Sequence, residues 1–183
     1  MKVMVISGSP NVDGLTARCA EAAVEGARSG GAEAEHVRLK DLDVGSCKQC
    51  SDGWGGCRMF HGCGGRQDDF QGLHERVKTV DALVLVTPVY WGDLSECMKM
   101  FTDRLRRCEA TRGEESALTS KPVIAVAAAG GGGGGMVSCL ASMERWITHV
   151  RARRFDLFAI NRWNSAYKVD AIRAAAQAMA SEA

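Results

Sequence analysis

Three runs in this chain are apolar almost without a break: VMVI, ALVLV and VIAVA, within Val3–Ile6, Ala82–Thr87 and Val123–Ala128. A strand wetted on one face alternates apolar with polar residues, so uninterrupted runs this short belong to strands covered on both faces. Helical spacing separates them. Leu15, Cys19, Ala22, Ala23 and Ala27 line one side of a predicted helix over Leu15–Ala27. A second helix is expected over Asp69–Thr79, and a third over Leu94–Arg107 with Leu94, Cys97, Met98, Phe101 and Leu105 inward. Leu140, Met143, Ile147 and Val150 mark a fourth, and a terminal helix from Lys168 carries Ile172, Ala176 and Met179. Two further strands, Ala34–Leu39 and Arg154–Ile160, contain charges, which edge positions tolerate better than central ones. Strand–helix alternation of this kind makes an α/β chain with a parallel sheet between helical layers.

With the charged strands outermost, the five parallel strands take the order 2-1-3-4-5, a flavodoxin-like three-layer sandwich. Ligands of that architecture sit beyond the carboxyl ends of the strands, where strands one and three part. The length of 183 residues suits one domain over 1–183, with a Cys/Gly-rich insertion at 41–67. A net charge of +1 gives no reason to expect nucleic acid or an anionic membrane as partner. No apolar stretch approaches the ~18 residues a membrane helix needs, and MKVMVISGSP reads as a first strand, not an export signal. A cytoplasmic location follows as an expectation, and with it free thiols at the eight cysteines.

The loops after strands one, three and four are SGSPNVDGLT, TPVYWGDLS and AAAGGGGGGM. The first joins a strand to a helix and offers hydroxyls and amides at a positive helix end, a setting for an anion. It lacks both the G-x-G-x-x-G of dinucleotide folds and the G-K-[ST] of nucleoside-triphosphate loops, and without lysine it suits a phosphate monoester. In the second, Pro88 and Gly92 impose an irregular backbone, and Tyr90 and Trp91 bring flat faces. The third is bare backbone, against which a ring could lie closely.

These segments, with Asp68–Phe70 (DDF) and TPVYWGDLSECMKMFTDR, resemble the NADPH-dependent FMN reductases and iron–sulfur flavoproteins. The resemblance covers Met1 to about Val150. It implies that Ser9, Asn11, Gly14, Leu15 and Thr16 hold the FMN phosphate. Pro88, Val89, Tyr90, Trp91 and Gly92 would line the ribityl chain and isoalloxazine, with Ala129 and Gly130 approaching the ring from the other side. It further implies a homodimer or homotetramer, NAD(P)H as co-substrate, and a structural or interface role for Lys99 and Asp103.

Between strand two and the next helix lies Cys47-x2-Cys50-x6-Cys57-x5-Cys63. Iron–sulfur flavoproteins carry a similar four-cysteine motif there, binding a [4Fe–4S] cluster, but the six-residue gap after Cys50 departs from compact cluster motifs. Zinc on the four cysteines, or on three with His61, a Cys47–Cys50 dithiol, or a metal-free ordered lid remain open. His36, His74 and His149 are expected on solvated surfaces, and Arg104, Arg106 and Arg107 at a solvated helix end.

The expected activity is an FMN-dependent NAD(P)H oxidoreductase that reduces a quinone, a flavin or another small acceptor. The cofactor carries the chemistry, and no catalytic side chain is assigned. An FMN electron carrier, with or without an iron–sulfur centre, is the alternative. A receiver domain is excluded, because strand three ends in Thr-Pro where a phosphoacceptor Asp would be needed.

Overall fold

The computed structural model describes residues 1–182. Along the chain run β1 (Lys2–Ser7), α1 (Leu15–Ser29), β2 (Glu33–Arg38), α2 (Gly56–Met59), α3 (Phe70–Thr79), β3 (Ala82–Tyr90), β4 (Asp93–Leu94), α4 (Glu96–Glu109), β5 (Pro122–Ala129), α5 (Met136–His149), β6 (Arg153–Asn161) and α6 (Ser165–Ser181). The parallel strands lie in the order β2-β1-β3-β5-β6, which is the expected arrangement. The three apolar strands are central, and the two charged ones form the edges. A sixth strand was not expected: the two residues of β4 fold back antiparallel on Val89 and Tyr90 of β3. Two residues are too few to show a period.

The period-two geometry of strands divides the core. Val3 and Val5 of β1 face α1 and α6, packing with Cys19, Ala23, Ile172 and Met179. Met4 and Ile6 face α3, α4 and α5, packing with Phe70, Leu73, Met98, Phe101 and Ile147. The small inward face of α1 permits unusually close approach. A Cβ on Gly26 would stand 2.1 Å from the Arg173 carbonyl oxygen of α6.

Two expectations about polar residues fail. His74 is 3% exposed and Arg104 1%, not solvated. His74 lies on the face of α3 that carries Phe70 and Val77, and its Nε2 meets Glu109 Oε1 at 2.6 Å. Glu109 Oε2 also accepts from Ser116 Oγ and the Ala117 N–H. Arg104 shares the inward face of α4 with Phe101, Leu105 and Cys108, all buried. Burial is possible because each group is paired with a buried carboxylate, His74 with Glu109 and Arg104, through its terminal nitrogens, with Asp68. His36 and His149 are exposed, as expected.

Candidate functional site

The loops after β1, β3 and β5 meet beyond the carboxyl ends of the central strands, and Ser95 ties the first two together. Its Oγ donates to the Gly8 carbonyl at 2.7 Å, and its N–H donates to Thr87 Oγ1 at 3.0 Å. A side chain on Gly8 would come within 2.6 Å of that same Oγ, so only glycine fits. Ser9 and Thr16 are buried, and Ser9 Oγ accepts the Asn11 N–H at 3.1 Å. Asn11 itself is exposed, and Gly14 and Leu15 are half-buried. Gly14 occupies the N-cap of α1, and neither a capping side chain nor an acidic residue sits in the first turn. The first-turn N–H groups of α1 are therefore left without a side-chain acceptor of their own, as an anion site requires.

The second loop is a hairpin of two residues. Trp91 (φ 50°) and Gly92 (φ 84°) both lie in the left-handed region, as a type I′ turn demands. Trp91 is fully exposed there, while Pro88, Val89 and Tyr90 are half-buried. Burial, then the charges of Glu96 and Cys97, push the Tyr90 phenol above its ordinary pKa. The third loop leans on the second through backbone. A Cβ on Gly135 would stand 2.5 Å from the Gly92 Cα, and Ser138 Oγ donates to the Gly92 carbonyl at 2.8 Å. Trp91, Gly92, Gly134, Gly135 and Ser138 line an open groove. Ala129 is buried at its root, and nothing stands within 4 Å of where a Gly130 side chain would begin.

A fourth contributor went unnoticed in the sequence. The turn after β6 is closed by Asn161 Oδ1, which accepts the N–H groups of Trp163 and Asn164. It sets the Trp163 ring 3.3 Å from where a Gly132 side chain would begin. Its only signal was its place at the carboxyl end of the last strand.

The cysteine insertion lies elsewhere, against α4. Cys47, Cys50, Cys57, Cys63, Arg104 and Cys108 line one cavity. His61 is not among its walls and instead meets Thr111 Oγ1 at 3.2 Å, so zinc on three cysteines with His61 does not fit. Among the described residues no three His, Cys, Asp or Glu groups are placed to hold a single metal ion. The DDF motif staples the insertion shut. Asp68 meets both terminal nitrogens of Arg104, at 2.6 and 2.9 Å, and accepts the N–H of Gly45. Asp69 accepts the Asp43 N–H at 2.7 Å. Burial would raise the Asp68 pKa, but the Arg104 guanidinium and the two backbone N–H groups more than offset it and hold the carboxyl below its usual range. Arg107 is not free either: it donates to the Gly53 carbonyl and lies 4.9 Å over the Trp54 ring. Burial, with Cys63 and Cys57 nearby, pushes the Cys108 thiol up to about 12.

Residues 1–164 match the family model of NADPH-dependent FMN reductases. The chain belongs to this family. Among curated relatives, an Archaeoglobus fulgidus iron–sulfur flavoprotein is 33% identical over 106 residues, 58% of this chain and 49% of that one. A Bacillus subtilis candidate NAD(P)H-dependent FMN-containing oxidoreductase is 33% identical over 104 residues, 57% of this chain and 51% of that one. The chain thus spans about half the length of these curated relatives. Among solved structures, an NAD(P)H:quinone oxidoreductase from Methanothermobacter marburgensis superposes with a TM-score of 0.70 at 17% identity, covering 97% of this chain and 96% of that one. Such a likeness shows the fold, which a flavodoxin from the domain Archaea also shares at a TM-score of 0.66 and 14% identity, covering 100% of this chain and 98% of that one.

Proposed function

We propose that this chain is an FMN-dependent oxidoreductase that takes electrons from NAD(P)H and passes them to a quinone, a flavin or another small acceptor. One observation carries the proposal: an uncapped helix end beside buried hydroxyls lies next to a groove walled by glycine backbone. The residues fit FMN. Ser9, Asn11, Gly14, Leu15 and Thr16 surround the α1 end and would hold the phosphate. Pro88 to Gly92 would flank the ribityl chain and ring, and Ala129 and Gly130 would leave room for the ring edge. When bound, FMN supplies hydride acceptance and onward electron transfer. The chain's own part is to bind and orient it. Ser95 fixes the two loops to each other, Ser138 fixes the third, and Trp91 and Trp163 present aromatic faces at the rim. The same exposed side chains, with Val137 at 79% exposure, support a homodimer or homotetramer.

Titrating the purified protein with FMN, then adding NADH or NADPH without oxygen, tests this. Flavin fluorescence should quench on binding and the yellow absorption should bleach promptly. A protein that binds no FMN overturns the proposal.

A second reading is favoured by the cysteine cavity: an electron carrier in which FMN works with a thiolate-bound iron–sulfur centre. The donor set fits such a centre, since four motif cysteines share one cavity and thiolates are its ligands. Bound FMN that NAD(P)H does not bleach, in protein that holds iron when purified without oxygen, would favour this carrier.

No helix among the described residues is long and apolar enough to cross a membrane.

A further inference from the structure

The walls of the cysteine cavity are chemically one-sided. Beside the thiols stand Lys48, Arg66, Arg104 and Arg107, and no carboxylate lines it. Arg66 and Arg107 donate to loop carbonyls, Arg66 Nε to that of Ser46 at 2.8 Å and Arg107 to that of Gly53. Arg104 differs. It is wholly buried, its terminal nitrogens are fixed by Asp68, and Nη1 also donates to the Gly45 carbonyl at 3.0 Å. Its Nη2 donates to Cys63 Sγ at 3.3 Å. Its Nε is one of two buried side-chain nitrogens among the described residues with no partner at all. A buried charged N–H without an acceptor is a costly state that native proteins rarely keep without use. The cavity already treats sulfur as an acceptor in a second place, where the Gln49 N–H reaches Cys47 Sγ at 3.4 Å. Glycine lets the loop close on sulfur as well: a Cβ on Gly65 would lie 2.6 Å from Cys50 Sγ.

We infer that Arg104 is the positioning residue of this cavity. It donates hydrogen bonds to the sulfur of an anionic, thiolate-bound iron–sulfur centre and offsets its negative charge. The inference rests on the second reading above, that the cavity holds such a centre. Hydrogen bonds to sulfur and nearby positive charge favour the more negative, reduced form, and so raise the reduction potential. Asp68 keeps the guanidinium in place through both terminal nitrogens. The pair therefore does more than close the insertion: it aims a fixed positive group at the ligands.

The test uses the full chain, purified without oxygen and reconstituted with ferrous iron and sulfide. Iron per chain is measured, and the midpoint potential of the centre is followed by electron paramagnetic resonance in wild type, Arg104→Lys and Arg104→Gln. The expected result is iron in all three. The midpoint should move to lower potential in Arg104→Gln and less far in Arg104→Lys, with the flavin midpoint unmoved. An iron-bound centre with the same midpoint in all three overturns the role of Arg104 and leaves the centre standing. Wild type that takes up no iron overturns the centre itself, and the inference with it. Where both variants fail to hold iron, nitrogen hyperfine coupling decides. It is recorded on the reduced centre of an Arg66→Lys, Arg107→Lys protein labelled with nitrogen-15 arginine, in which Arg104 is the remaining arginine of the cavity. Coupling to that label supports the inference, and its absence overturns it.

Discussion

The two halves of this molecule's chemistry are built in opposite ways. The loops beyond β1, β3 and β5 close tightly on one another: Gly8, Gly92 and Gly135 approach neighbours at distances no added side chain could share, the short side chains of Ser95 and Ser138 tie loop to loop, and the strands beneath are buried from both sides. The cysteine insertion is held by side chains. It buries little apolar surface of its own, and only the four-residue α2 is regular within it. Its closure depends on Asp68, Asp69, Arg104 and Gln71 reaching across to its backbone. Loops packed this closely on buried strand ends are as stable as the sheet that carries them. A site made of side-chain pairs can open while the sheet stays folded.

The largest effect should come from breaking that pair. Asp68→Ala leaves the Arg104 charge buried and unpaired, a loss of about 3–5 kcal/mol. Because the two regions are separately held, the loss should be local. Limited proteolysis should cut between residues 41 and 67, and FMN affinity should change little. Equal loss of FMN binding would show that the insertion and the flavin loops form one cooperative unit.

Gly135→Ala attacks the other region. The new Cβ would meet the Gly92 backbone at 2.5 Å, at a residue with φ of 80°. Overpacking and left-handed strain together should cost about 2–4 kcal/mol. Here the pattern should reverse: FMN affinity falls at least about tenfold, and protease resistance of the insertion is kept. A calorimetric FMN titration beside the same digestion separates the outcomes.

This contrast also decides what could be read in advance. The sheet order was legible because the central strands are continuous apolar runs and the edges carry charge. That the loops after β1, β3 and β5 would meet was legible because the strand order sets their ends side by side, and their Gly, Ser and Pro content marked them as special turns. Spacing alone drew attention to the four cysteines, but it could not say that Cys108 of α4 completes their cavity, since that contact depends on how the insertion folds back. Arg104 and His74 were misjudged from residue type. Their positions held the better signal: Arg104 falls three residues after Phe101, and His74 four after Phe70, on the apolar faces of their helices. A polar residue in such a register must find a partner, and both do.

Acid should open the insertion side first. The carboxyls of Asp68 and Glu109 are both held below their ordinary values, as partners outweigh the opposing effect of burial. A depressed folded-state pKa contributes stability that is complete above the unfolded value and is lost as pH falls through the folded one. Loss should therefore begin below about pH 4, and both groups serve segments packed against α4. Hydrogen exchange from pH 7 downward should show residues 41–67 and 110–117 deprotecting before β1, β3 and β5. Simultaneous deprotection would mean that acid unfolds the molecule as a whole.

The smallest effect concerns Trp91, where stability and function should part. The first position of a type I′ turn favours Asn, because its short side chain tolerates the left-handed region and an indole does not. Trp91 gains nothing from packing to offset this, since it is 106% exposed relative to an extended reference. Trp91→Asn should accordingly stabilise the chain by about 0.5–1 kcal/mol, seen as a small rise in thermal midpoint. If the ring is kept for the flavin or its acceptor, the same variant should weaken FMN binding or raise the KM for a quinone several-fold, with the insertion's protease resistance untouched. A variant that is both less stable and unchanged in binding would make Trp91 a structural residue of the hairpin. The strain at its φ of 50° would then have no functional return.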